Sequence, residues 1–223
     1  VVVSAHQSIG CGAIMLFGTE AQKTTFLPRI CKDTLSAFCL SEPNVGCDAG
    51  GQETRIEKDE NGDFIIRSGE KKWATSGALS GIFTVMARTN PDIKGAKGIS
   101  AFIVDANTSG ITIGKCDKKM GQKGAHTADV IFDNVRVPES ALIGEQEGVG
   151  FKTAMKVLDK GRLHIAAIAV GAAERVLEDS LRFAMERKQF GKPIGSFQAI
   201  AHKCADMLVR VEGARSATYY AAW

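Results

Sequence analysis

The chain has 223 residues, 44% apolar and 24% charged, with 28 Lys plus Arg against 25 Asp plus Glu and a formal charge of +3. This composition excludes a disordered chain, a collagen-like repeat and a disulfide miniprotein. The charge excess is too small to point to nucleic acid or an anionic membrane, and no apolar run reaches the ~18–20 residues of a membrane span.

Residues 1–33 read as helical. Ile9, Ala13, Leu16 and Phe17 fall on one face, and Gly18-Thr19-Glu20 marks a break with a new N-cap. The next helix is expected to start at Ala21 and to end near Pro28.

Residues 34–140 read as β structure. Candidate strands are 35–41, 54–58, 63–72, 82–88, 99–105, 111–115 and 128–137. Turn signals occur at Asn61-Gly62, Ser68-Gly69, Asn90-Pro91, Ser109-Gly110 and Met120-Gly121, and Asn61-Gly62 predicts a hairpin. Strands at this spacing without helices between them predict an antiparallel sandwich or barrel.

Residues 147–223 read as long helices. Ala166, Ala169, Val170, Ala173, Val176, Leu177, Leu181 and Ala184 recur at helical spacing. A break at Gly191-Lys192-Pro193-Ile194-Gly195 precedes a helix from about Phe197, with Ile200, Cys204, Met207, Leu208 and Val211 on one face. A short loop between long helices predicts an antiparallel pair, half of a bundle. The chain starts Val1-Val2-Val3 with no targeting segment and stops at Ala221-Ala222-Trp223 inside a helical pattern. Both ends are therefore expected to be cut from a longer protein.

Six cysteines, Cys11, Cys31, Cys39, Cys47, Cys116 and Cys204, form no C-x-x-C pair and fit no zinc spacing. They are expected to be reduced and mostly buried. His6, His126, His164 and His202 are scattered without metal-ligand spacing. The standard nucleotide signatures are absent. Gly148-Val149-Gly150-Phe151-Lys152-Thr153 is faintly phosphate-like, and its plainer reading is a flexible loop leading into a helix.

Three stretches carry more chemistry. Cys39-Leu40-Ser41-Glu42-Pro43-Asn44-Val45-Gly46-Cys47-Asp48 ends a strand in a polar Gly turn whose N–H groups suit an anion or a carbonyl-rich ring, or simply form a strand exit. Lys72-Trp73-Ala74-Thr75-Ser76-Gly77 places an aromatic ring and a hydroxyl on one strand face, suited to a planar heterocycle or to a core. Glu186-Arg187-Lys188-Gln189-Phe190-Gly191-Lys192, followed by Phe197-Gln198, is either a pyrophosphate grip or a cationic helix end with a Gly cap.

Taken in order, these stretches resemble the acyl-CoA dehydrogenase family over essentially the whole chain. The resemblance includes Phe38-Cys39-Leu40-Ser41-Glu42-Pro43, Lys119-Met120-Gly121-Gln122-Lys123 and Phe132-Asp133-Asn134-Val135-Arg136-Val137-Pro138. Ala5-His6-Gln7-Ser8-Ile9-Gly10 looks like the very-long-chain branch, and the later helix looks like the shorter-chain members.

The resemblance implies a multi-domain α and β fold. Residues 1–33 would end an N-terminal helical domain, 34–140 would be the middle β domain and 147–223 the first part of a C-terminal four-helix bundle. It implies FAD contacted by Phe38, Leu40, Ser41, Cys47, Trp73 and Thr75, with Arg187, Gln189, Phe197 and Gln198 reaching the FAD of an adjacent subunit. Cys47, Asp159 and Arg162 would lie on the acyl-CoA side. Cys47 stands where the family usually has Ser or Thr, and a thiol is the poorer hydrogen-bond partner.

The implied reaction is α,β-dehydrogenation of an acyl-CoA thioester in fatty-acid or branched-chain amino-acid oxidation. The implied electron acceptor is an electron-transfer flavoprotein, and the implied assembly is a homo-oligomer, a tetramer or dimer. The implied compartment is the bacterial cytoplasm or mitochondrial matrix. An acyl-CoA oxidase and a non-catalytic scaffold or assembly relative are the competing readings. The family's catalytic Glu lies late in the C-terminal domain, beyond Trp223, or in a minority at the position of Gly161. Glu42 belongs to the flavin-loop motif, so no catalytic residue is assigned.

Overall fold

The computed structural model describes residues 2–223. They fall into two compact units, divided between Gly161 and Arg162.

The first unit begins with α1 (Val2–Ser4), a π-helical turn (Ala5–Gly10), α2 (Gly12–Phe17) and α3 (Glu20–Lys32). The wide turn closes through Cys11 N–H donating to His6 O at 3.0 Å, five residues back. One extra residue rotates the faces of α2 by about 100°. Ile14 therefore goes fully into the core, while Leu16, expected on the buried face, is 38% exposed.

Thr19 caps α3 as the break at Gly18 suggested: Gln22 N–H donates to Thr19 Oγ1 and Thr19 N–H to Gln22 Oε1. The helix does not end at Pro28, which lies inside it. Its last turn is held from outside, by burial of Ile30 and by Arg29 donating to Asp105 at 2.8 Å. Those contacts offset the one backbone bond that proline removes.

Seven strands come next: β1 (Leu35–Cys39), β2 (Ile56–Lys58), β3 (Phe64–Ala74), β4 (Ser80–Arg88), β5 (Ile99–Asp105), β6 (Ile111–Ile113) and β7 (Ala128–Val137). They form two sheets, ordered β1-β4-β5 and β2-β3-β7-β6. All pairings are antiparallel except β1 with β4, which is parallel. The sheets face each other across Ala37, Cys39, Phe64, Phe83, Val85, Phe102, Val130 and Phe132, a sandwich core. Phe64 and Phe102 meet edge-on across it, with ring centroids 5.0 Å apart.

β4 is buried on both faces. Phe83, Val85 and Ala87 face the sandwich, while Ile82 and Met86 pack with Ile14, Ile30, Ala154 and Val157. That explains its unbroken apolar run.

Asn61-Gly62 does turn a hairpin between β2 and β3: Gly62 has φ +90°, and Asp59 Oδ1 accepts from Asn61 and Asp63 N–H. Ser68-Gly69 does not turn and runs inside β3. A Cβ on Gly69 would lie 2.6 Å from Thr54 Cγ2, so this glycine marks a close approach rather than a bend. Gly148 and Gly150 are likewise tight rather than flexible. Gly148 N–H donates to Ser100 Oγ at 2.9 Å, and a Cβ on Gly150 would meet the Ser100 backbone at 2.3 Å. The Gly148 N–H is thus already engaged, and Gly150 marks a close approach to β5.

α4 (Gly150–Glu186) runs from the first unit into the second. A two-residue ladder of β8 (Lys188–Gln189) with β9 (Lys192–Pro193) precedes α5 (Gln198–Ala222). Within the second unit Arg215 donates to Glu174 at 2.7 Å, and Gly195 lies against Ala184, so α5 returns antiparallel to α4. Leu177, Ala184 and Val211 are its buried apolar residues.

The thiols are all free, but Cys31, Cys47 and Cys116 are exposed, against the expectation of mostly buried thiols. All three lie outside the strands, where no sheet covers them. Among the described residues no helix is long and apolar enough to cross a membrane. No group of three or more His, Cys, Asp or Glu there could hold a metal ion.

Candidate functional site

Within the first unit, the end of β1 and the end of β3 enclose a cavity of about 200 Å³. It is lined by Ala5, Ile9, Phe38, Leu40, Ser41, Lys72, Trp73, Thr75 and Leu158. Five of the residues singled out from sequence, Phe38, Leu40, Ser41, Trp73 and Thr75, thus meet at one place.

Trp73 and Thr75 do not meet by strand alternation. β3 ends at Ala74, and a bulge interrupts its pairing: three steps from Lys71 to Ala74 face two steps from Val130 to Ala128. Trp73 takes φ +55° there, a conformation that costs a side-chain-bearing residue roughly 1–2 kcal/mol. Asp129 holds it by accepting Lys72 Nζ–H at 2.5 Å and Trp73 N–H at 3.4 Å. The Asp129 bond, joined by one from Glu70, lifts the Lys72 ammonium above its usual range. The outcome is an indole 59% exposed on a pinned backbone. A flat ring held open in a strained conformation suits stacking on a planar ligand.

The opposite wall is pinned as well. Ser41 O accepts Lys72 N–H at 2.8 Å. Beside it, Glu42 is 2% exposed, and its carboxylate accepts from Lys71 Nζ at 2.6 Å, Glu53 N at 2.6 Å and Thr54 N at 3.1 Å. The amides of Glu53 and Thr54, beyond the Cys39–Asp48 turn singled out from sequence, thus hold the chain's own carboxylate. Burial raises the Glu42 pKa, but the Lys71 charge and bond and the two amides outweigh it, so the net direction is down. Glu42 is a fully engaged structural anion, unsuited to act as a base. Burial pushes the Cys39 thiol up to about 12, which keeps it protonated.

Cys47 does not line this cavity and lies exposed in the following turn. Asp159 and Arg162 lie three residues apart on α4, on either side of the division between the units, and each already has an interaction partner. Gly161 between them is buried, and a Cβ there would stand 3.0 Å from Ile9 Cγ2. The position has no carboxylate, and any side chain there would have to displace Ile9.

The second unit gathers the other predicted residues at one end of its helix pair. α4 stops at Glu186, and Arg187 O accepts Ile194 N–H at 2.8 Å. Phe190 and Gly191 both have positive φ, 51° and 76°, and turn the small hairpin that carries Gln189. Gly191 is therefore a hairpin residue, not a helix cap. Phe190 is 91% exposed and meets Phe197 edge-on at 6.0 Å, and Lys192 Nζ stands 4.4 Å from the Phe197 ring. Phe197 is the N-cap of α5 and Gln198 its first residue. An aromatic pair with Lys192 beside it can hold a planar anionic group.

Local patterning missed Ala5, Ile9, Lys72 and Leu158 as cavity residues. Ala5 and Ile9 reach it on the π-helical turn, which no short apolar spacing announces.

The sequence matches three domain profiles of one family: acyl-CoA dehydrogenase N-terminal domain over residues 1–34, middle domain over 37–135 and C-terminal domain over 148–223. An acyl-CoA dehydrogenase of Bacillus subtilis (strain 168) is 45% identical over all 223 residues, which span 58% of that protein. The structure of butyryl-CoA dehydrogenase from Megasphaera elsdenii superposes with a TM-score of 0.93 at 42% identity, over 98% of this chain and 57% of that one. An acyl-CoA dehydrogenase from Bacillus anthracis, solved in complex with FAD, superposes with a TM-score of 0.89 at 35% identity, over 98% of this chain and 37% of that one.

Proposed function

The chain belongs to the acyl-CoA dehydrogenase family of flavoprotein oxidoreductases, and from that premise we propose that the whole protein binds FAD and α,β-dehydrogenates acyl-CoA thioesters. The observation that carries the reading is the exposed, strained Trp73 indole facing Leu40, Ser41 and Thr75 across one cavity. Bound FAD would supply the two-electron acceptor for the β-hydrogen leaving as hydride, while the α-hydrogen leaves as a proton to a base.

The residues present fit such a group. Trp73 offers a flat wall, Phe38, Leu40, Ile9 and Leu158 exclude water, and the Ser41 and Thr75 hydroxyls supply hydrogen bonds. Arg187, Gln189, Phe197 and Gln198 would serve the FAD of a neighbouring subunit in a homo-oligomer, where the Phe190–Phe197 pair and the nearby cations suit an adenine and a pyrophosphate. Asp159 and Arg162 would face acyl-CoA, and Cys47 would contribute through its backbone rather than its thiol. The domains run 1–33, 34–140 and 147–223 in this reading. An electron-transfer flavoprotein takes the electrons, in a bacterial cytoplasm or a mitochondrial matrix.

The base is not assigned. No carboxylate lines the cavity, Glu42 is committed to Lys71, and Gly161 has no side chain. The test is anaerobic titration of the full-length purified protein with a saturated acyl-CoA. A flavin that co-purifies and loses its visible absorption on titration is the expected result. Protein that takes up no FAD overturns the reading. Rapid reoxidation by oxygen without an electron-transfer flavoprotein turns it into an oxidase.

A further inference from the structure

We propose that the buried Lys71–Glu42 ion pair, bridged by Gln52, is a positioning device that keeps the Leu40–Ser41 wall of the cavity in register with the Trp73–Thr75 wall. The inference rests on the flavin reading of that cavity and deepens it.

Lys71 is completely buried, and its Nζ reaches Glu42 Oε1 at 2.6 Å, Gln52 Oε1 at 2.5 Å and Leu40 O at 3.4 Å. Gln52 Nε2 in turn donates to the same Leu40 O at 2.9 Å. Glu42 exchanges backbone bonds with Val45, and its carboxylate binds the amides of Glu53 and Thr54. The whole 40–54 loop is thus wrapped around one ammonium group.

Buried ion pairs are as a rule no more stabilising than apolar side chains of the same shape, so stability alone gives no reason for this one. Its placement does. Lys71 is the last residue paired with β7 before the bulge, two positions ahead of Trp73. Glu42 immediately follows Ser41. The Lys71 bonds to Glu42 Oε1 and Leu40 O therefore span the two backbones that supply the facing walls, alongside the backbone bond from Lys72 N to Ser41 O. A residue at φ +55° persists only where its surroundings over-determine it, and this pair is what ties the bulge to the loop opposite.

Glu42→Gln/Lys71→Met in the full-length holoprotein tests this, because it removes both charges at near-constant volume and leaves no lone buried charge. The expected result is a melting temperature close to that of the unaltered protein, with hydrogen exchange at the Lys72 amide about ten-fold faster or more. The FAD dissociation constant is expected to rise about ten-fold, with an altered flavin circular-dichroism band. A folded double variant with unaltered exchange, or with faster exchange but unaltered FAD affinity and spectrum, overturns the proposal. If the unaltered protein takes up no FAD while the variant's exchange still rises, the flavin reading falls and the pinning of the two walls stands. Should the double variant not fold, Gln52→Met, which keeps the ion pair and cuts its bridge to Leu40 O, is expected to move exchange and FAD affinity in the same direction. Unaltered values there overturn the proposal too.

Discussion

The two units solve the burial problem differently. The β sandwich closes on itself: Phe64, Phe83, Phe102 and Phe132 are essentially inaccessible, and β4 is covered on both faces. The α4–α5 pair has a single internal seam, with Leu177, Ala184 and Val211 buried while Val176, Phe183, Met185, Leu208 and Val209 are 50–70% exposed. Two sheets face to face provide a layer with an inside, whereas two helices share only a stripe. The sandwich's sealed interior tolerates an expensive polar feature such as Lys71, whereas the open helix faces belong to a chain that spans 57–58% of its relatives' length.

Truncation at the centre of the sandwich should have the largest effect. Phe102→Ala is expected to cost ~3–5 kcal/mol in urea unfolding, through lost burial and a cavity that cannot collapse. Glu42→Gln comes next, at about 3 kcal/mol near neutral pH, because it leaves Lys71 charged and unpaired inside the core.

Glu42 also sets a pH signature. Its folded carboxyl lies below the ordinary value despite burial, held down by Lys71 and two amides. As pH falls below about 4.3, the unfolded carboxyl takes up its proton first. The contribution is therefore complete above that pH and is lost as pH drops toward the folded value. The Glu42 contribution should stay level from pH 7 to about 4.3 and be lost as pH falls further, and Glu42→Gln should flatten that acid limb. An unchanged acid limb would remove Glu42 from the account.

In the helix pair Leu177→Ala should cost about 2 kcal/mol, near the low end for a buried leucine, because its seam is shallow. A loss equal to that of Phe102→Ala would break the contrast between the units. Arg215→Met should have the smallest effect, with no measurable change in the urea midpoint. Its bonds to Glu174 and Glu212 are partly open to solvent, where screening and side-chain entropy cancel most of the attraction.

Much of the architecture was legible because its causes are local. Short apolar runs between turn signals, some alternating and some continuous like β4 and β5, marked all seven strands, Asn61-Gly62 marked its hairpin, Thr19 its capping box, and the 3.6-residue period marked both long helices. Where local rules failed, a distant contact had overruled them. Pro28 stayed helical because Arg29 and Ile30 are held from outside, and Ser68-Gly69 stayed extended because Thr54 packs against the glycine. Leu16 left the core because a π turn shifted the face by one residue.

The candidate site divides the same way. By itself the sequence determined the strand and helix pattern and the ordered motifs that carry the family resemblance, since these depend on side-chain period and turn chemistry within a few neighbouring residues. Tertiary structure alone decided that Ala5, Ile9 and Leu158 join Trp73 around one cavity, that Trp73 is aimed by a bulge rather than by alternation, and that Glu42 is spent on Lys71. Those outcomes come from pairing between segments 29 or more residues apart, as with Glu42 and Lys71. They come also from desolvation of the groups enclosed there, and neither quantity exists until the chain has folded.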